Sequence, residues 1–169
     1  MGSKRASRSR SWSARQNRDP YVKKARQSDY RSRAVFKLQQ LDQKERLIRA
    51  GMSVVDLGAA PGSWSQYAAV IVGSTGVVVA VDRLDMGDIP GVAGIKGDFL
   101  DDAVVGRIDQ ALAGRPVDLV ISDLAPNLTG ISSVDQTAME VLALAAMRFA
   151  LRHLGSKGCL LYTSPSPRD

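Results

Sequence analysis

Between residues 32 and 41 apolar side chains recur every three or four positions (Ala34, Val35, Leu38 and Leu41). That spacing predicts one buried face of a helix, with Ser32 as its N-cap and Gly51 as the glycine that ends it. Beyond Gly51 the pattern changes to short, nearly continuous apolar runs. Residues 52–57 (MSVVDL) form the first, followed by the loop GAAPG at 58–62 and a helical pattern through Ala69, Val70 and Val72. Residues 77–81 (VVVAV), 93–96 (AGIK) and 117–122 (VDLVIS) are three more, with helical stretches at 102–113 and 134–154. Strands that are apolar throughout and alternate with helices predict an α/β fold, a mostly parallel sheet covered on both faces. Within the last helix, Met139 and Met147 are expected in the core. His153, near its end, is expected to act as a partner of the helix dipole.

The acids change this from a fold to a site. Asp56, Asp82, Asp98 and Asp123 all fall at the C-terminal ends of predicted strands, the edge where doubly wound sheets bind ligands. One such aspartate reads as a turn former; four on one edge read as a binding site. Asp82 follows Gly58 by about 24 residues, the distance at which a carboxylate reaches ribose hydroxyls. The loop lacks the GxGxxG spacing of dinucleotide binders, and Pro61 removes an N–H that could have met a pyrophosphate. No GxxxxGK[ST] is present either. An adenosine without phosphates fits better, and the sulfonium and ammonium charges of S-adenosylmethionine suit an acidic edge. Asp98 is then placed for the adenine amino group. Trp64 either walls the pocket or packs in the core, and Lys37, on the border of its helix's apolar stripe, reads alone as a lysine with its ammonium in water.

Composition narrows the class. The chain has 169 residues, 44% apolar and 24% charged, the balance of one soluble globular domain. No apolar run approaches the ~20 residues of a membrane span. A single cysteine, Cys159, and a single histidine exclude a disulfide framework, a Cys-based zinc cluster and a multi-His metal site, and suit a reducing cytoplasm. The net charge of +6 divides unevenly, +11 over residues 1–49 and −5 over residues 50–169. Residues 1–18 are rich in Ser and Arg and contain no acid, which favours a basic arm for a polyanion over a targeting peptide.

The segments RSRAVFKL (31–38), DLGAAPGSWSQ (56–66), GDF (97–99) and SDLAPN (122–127), in this order and spacing, resemble the FtsJ/RrmJ family. These are S-adenosylmethionine-dependent 2′-O-ribose methyltransferases of bacterial large-subunit ribosomal RNA. The resemblance runs from about residue 19 to about residue 160. It implies a Rossmann-like methyltransferase fold, methylation of a uridine 2′-hydroxyl, and the 50S subunit as partner of a cytoplasmic monomer that needs no membrane. It further implies Gly62, Trp64, Asp82, Asp98 and Asp123 as cofactor contacts, and Lys37 and Asp123 as two members of a Lys-Asp-Lys-Glu catalytic tetrad, with no metal.

The chain departs from the family after Tyr162. The next family positions carry the tetrad's central lysine, the proton acceptor, on a strand that begins here at 157–162 (KGCLLY). By register Thr163 takes the lysine's place. Pro165 and Pro167 then forbid a central strand, and the tetrad's glutamate and the last strands of the sheet are expected beyond residue 169. The expected organisation is a basic arm at 1–30, a methyltransferase domain lacking its last strands at 31–162, and a foreign or out-of-frame tail at 163–169, with a natural Ser/Pro tail as the alternative. Weak or absent turnover and poor solubility are expected to follow. Two other functions compete. A non-catalytic RNA-binding or ribosome-assembly protein with the same fold accommodates the missing lysine, and cofactor affinity separates it from an enzyme. A nicotinamide-dependent oxidoreductase is disfavoured by the loop spacing and by the lack of a hydride-site His or Tyr.

Overall fold

The computed structural model describes residues 29–124, 129–130 and 132–163. Helix α1 (Val35–Glu45) precedes strand β1 (Ser53–Leu57), helix α2 (Ser63–Val72), strands β2 (Val77–Asp82) and β3 (Val92–Lys96), helix α3 (Asp102–Leu112), strand β4 (Val117–Ser122), helix α4 (Ser132–His153) and strand β5 (Leu154–Tyr162). The strands form one sheet in the order β3-β2-β1-β4-β5, and every neighbouring pair is parallel. All five residues of β1 are buried, which is why that run shows no polar alternation.

Successive residues of a strand face opposite sides, so two cores form. Val55, Leu57, Val79, Val81 and Val120 pack with Ile108 and Leu112 of α3 and Phe149 of α4. Val54, Val78, Leu119 and Ile121 pack with Leu38 of α1 and Trp64, Ala68 and Val72 of α2. Helices thus cover both faces, as the apolar runs imply.

Three expectations about the helices need correction. Ser32 is not the cap of α1: that position is Ala34, and the Ser32 hydroxyl accepts the Ala34 N–H at 3.2 Å in a local turn. Gly51 does not end the helix. It ends at Arg46, in the left-handed conformation, because Asp42 captures the chain just beyond by accepting the Ile48 N–H at 2.8 Å. Gly51 (φ 82°) instead turns the chain into β1. Met139 is half-buried and Met147 is 44% exposed, because α4 presents Ala146, Phe149 and Ala150 to the sheet. His153 closes α4 as expected. Its Nδ1 is 2.8 Å from the Phe149 carbonyl, its ring stacks on Phe149, and its Nε2 lies 3.3 Å from Asp109 of α3.

Strand β5 begins directly after His153, three residues earlier than expected, and its ladder with β4 is irregular between Val117 and Leu119. Among the described residues no helix is long and apolar enough to cross a membrane. The basic arm up to residue 28, the segment 125–128 and the tail from residue 164, with Pro165 and Pro167, lie outside the described residues.

Candidate active site

The strand order reverses direction between β1 and β4, and the crevice beyond their carboxyl ends is the natural ligand site of such a sheet. The loop 58–62 crosses it. Gly58 (φ 76°) and Gly62 (φ 101°) both have backbone conformations that side chains rarely adopt. A β-carbon on Gly58 would stand 2.3 Å from Leu124 Cδ2, and one on Gly62 would stand 2.3 Å from Ile89 Cδ1. The protein's own side chains therefore close on both glycines. The Gly62 backbone is itself engaged, its N–H donating to the Ala59 carbonyl at 2.6 Å and its carbonyl accepting the Gln66 N–H at 2.9 Å, so a ligand there would share the carbonyl.

The four aspartates converge on this end of the sheet, but they do different work. Asp56 is 1% exposed and lies beneath the rim, accepting a hydrogen bond from Ser65 Oγ at 2.6 Å. Burial pushes its carboxyl up to about 7; the Ser65 hydrogen bond opposes this, and the charges of Asp123 and Asp82 add to it. Asp56 is thus a buried support of the rim rather than part of its surface. Asp82 ties two loops together, accepting the Ala60 N–H at 2.9 Å and the Leu84 N–H at 2.8 Å. A carboxylate offers about four lone-pair positions, so both oxygens retain capacity for ribose hydroxyls. Asp98 accepts the Leu100 N–H at 3.0 Å and the Arg83 guanidinium at 2.5 and 3.0 Å. An adenine amino group there would share the carboxylate with Arg83.

Asp123, just past β4, meets Lys37 from α1: Nζ lies 3.3 Å from Oδ1, although 86 residues separate them. The same oxygen accepts the Thr163 hydroxyl at 2.5 Å, and the Thr163 N–H continues the β4–β5 ladder by donating to the Ser122 carbonyl at 2.9 Å. Residue 163 therefore faces Asp123 from the neighbouring strand. Trp64 takes the packing alternative. It is 3% exposed within the core of α1 and α2, and its indole N–H donates to the Ala34 carbonyl at 2.7 Å. Its ring does not wall an open pocket, and this position can offer a ligand only its backbone N–H, at the first turn of α2.

Two buried hydroxyls at the same end of the sheet have no partner among the described residues, those of Ser122 and Tyr162, which are paired residues of β4 and β5. Burial and the nearby charge of Asp123 raise the Tyr162 phenol above its ordinary range. Unsatisfied buried hydroxyls are costly, so they mark where further polar groups belong. Open lone pairs on Asp82 and an acidic rim fit an adenosyl sulfonium better than a polyphosphate. Sequence reasoning missed Ser65, Arg83 and Arg31, whose roles depend on partners distant along the chain.

The FtsJ-like methyltransferase family matches residues 30–164. A ribosomal RNA large subunit methyltransferase E of Azoarcus sp. is 48% identical over 158 residues, covering 94% of this chain and 77% of that protein. The protein of the same name from Alkalilimnicola ehrlichii is 52% identical over 147 residues, covering 87% and 70%. Among solved structures, a Plasmodium falciparum protein described as a ribosomal RNA methyltransferase superposes with a TM-score of 0.74 at 26% identity, covering 79% of this chain and 77% of that one. The match of sequence and fold places this chain in the FtsJ-like methyltransferase family, with S-adenosylmethionine as its cofactor.

Proposed function

We propose that this fold serves methyl transfer to the 2′-hydroxyl of a uridine ribose in large-subunit ribosomal RNA, in the cytoplasm and as a monomer, with the 50S subunit as partner. The observation that carries the proposal is the Lys37–Asp123 pair, brought together from α1 and the end of β4 at the carboxyl edge of the sheet. S-adenosylmethionine supplies an electrophilic methyl group on a sulfonium. Asp82 holds the ribose of the cofactor, Asp98 its adenine amino group, and the Gly62 and Trp64 backbone its methionine end. Asp123 anchors the Lys37 ammonium beside the 2′-hydroxyl, and the basic arm at 1–30 grips phosphates.

A ribose hydroxyl must also give up its proton, and a positioned base contributes about 10²–10⁴-fold to such a step. Thr163, which faces Asp123, has a hydroxyl that is no base near neutral pH. The chain therefore binds cofactor and transfers methyl groups slowly. Isothermal titration with S-adenosylmethionine and tritium transfer to unmodified 50S subunits test this. Binding with little transfer is the expected result. Absence of binding overturns the cofactor site, and rapid turnover overturns the role given to residue 163. Thr163→Lys, which sets an amine beside Asp123, is expected to raise transfer by at least about tenfold.

The Thr163 hydroxyl on Asp123 also favours a second reading, a non-catalytic RNA-binding or ribosome-assembly protein that keeps the fold. In that case Thr163→Lys leaves transfer at zero while RNA binding persists.

A further inference from the structure

Arg31 belongs to the basic N-terminal stretch, yet its guanidinium is engaged within the protein. Nη1 donates to the carbonyls of Pro61, at 3.2 Å, and of Met86, and Nη2 donates to the carbonyl of Asp88 at 2.6 Å. Pro61 lies on the glycine loop after β1. Met86 and Asp88 lie on the loop between β2 and β3, which starts at Asp82. One side chain thus joins the two loops that flank the proposed ribose site.

The β2–β3 loop has little core of its own. It lines a cleft of about 160 Å³, and Leu84 is 67% exposed. Its buried anchor is Ile89, whose Cδ1 reaches Gly62; the Arg31 stem closes over the same glycine, with Cδ 3.7 Å from where a β-carbon would stand. The backbone around Arg31 is itself docked on α2. The Arg31 N–H donates to Gln66 Oε1 at 2.9 Å, Gln66 Nε2 donates to the Asp29 carbonyl at 3.3 Å, and the Ser32 and Ser63 hydroxyls are 2.8 Å apart. Lys37 follows on the helix that this segment starts.

We infer that Arg31 is a positioning residue for cofactor binding. It holds the β2–β3 loop against the glycine loop before the ligand arrives, so that the wall beside Asp82 is built in advance. This rests on the S-adenosylmethionine reading of the same site. A planar fork with five donors can span three carbonyls in two loops, which a lysine ammonium does less well. A preformed wall spares the ligand the cost of ordering the loop.

Hydrogen exchange of the free protein, with Arg31→Met and Arg31→Lys compared with wild type, tests the clamp without cofactor. Titration with S-adenosylhomocysteine tests its consequence. In Arg31→Met the exchange at residues 84–91 accelerates while β1 and β4 remain protected, and affinity falls roughly tenfold. Arg31→Lys falls between the two. Unchanged loop exchange overturns the clamp, and so does acceleration spread over the whole sheet, which marks a general role in stability. Loss of affinity for a ribosomal RNA fragment with undiminished affinity for S-adenosylhomocysteine makes Arg31 an RNA contact and overturns the inference. If wild type itself fails to bind S-adenosylhomocysteine, the cofactor reading falls, and loop exchange still decides whether Arg31 clamps.

Discussion

Asp56 shows how a single position in a strand changes the chemistry of a carboxyl group. One residue from the end of β1, it is enclosed by the sheet and α2, with Ser65 as its hydrogen-bond partner and Asp82 and Asp123 as negative neighbours. Its folded pKa of about 7 lies above its ordinary value of 3.8, so the folded state holds a proton that the unfolded chain releases. The resulting stability is fully present below about pH 4 and is lost as pH rises to 7. Asp56→Asn keeps an acceptor for Ser65 and removes the titration. Urea unfolding between pH 4 and pH 8 should show wild type weakening with rising pH relative to the variant. Parallel curves would refute a neutral Asp56.

At the scale of elements, α1 matters because it carries Lys37, and its seat on the sheet is built from polar as well as apolar contacts. Asp42, buried at 8% exposure, accepts the Ile48 N–H with one oxygen and the Tyr67 hydroxyl of α2, at 2.9 Å, with the other. Burial, the Asp42 hydrogen bond and the Asp42 charge push the Tyr67 phenol up to about 12. Asp42→Ala strands a main-chain donor and should cost about 1–3 kcal/mol in denaturant unfolding. It should also bring the Tyr67 titration back toward 10, read by ultraviolet difference spectroscopy. A Tyr67 titration unmoved by the substitution would contradict the contact.

The whole molecule has a different vulnerability at its other end. Helix α4 exposes Val141 (56%), Leu144 (49%), Met147 (44%) and Leu151 (76%) along one side. Among the described residues β5 pairs only with β4. Neighbouring exposed apolar side chains promote association. Light scattering should show particle size growing with concentration, and Leu151→Arg should reduce that growth without shifting the thermal midpoint by more than a few degrees. Equal growth in both proteins would place the sticky surface elsewhere.

The α/β alternation, the parallel sheet and the four strand-end aspartates were determined by sequence alone, because apolar continuity and strand-end acids are local signals that survive without knowledge of partners. That Thr163 takes the place of the family's lysine was legible from the motif, but its contact with Asp123 came from the pairing of β5 on β4. Tertiary structure decided the rest. Lys37 sits on the border of an apolar stripe, and only the packing of α1 on the sheet brings it across 86 residues to Asp123. Trp64 could have faced a pocket or a core, and the Ala34 carbonyl settled it. Asp42 ended α1 before Gly51 could, and Arg31, at the start of the domain, turned to two distant loops. In each case a side chain's role depends on a partner supplied by another element, which no spacing along the chain can encode.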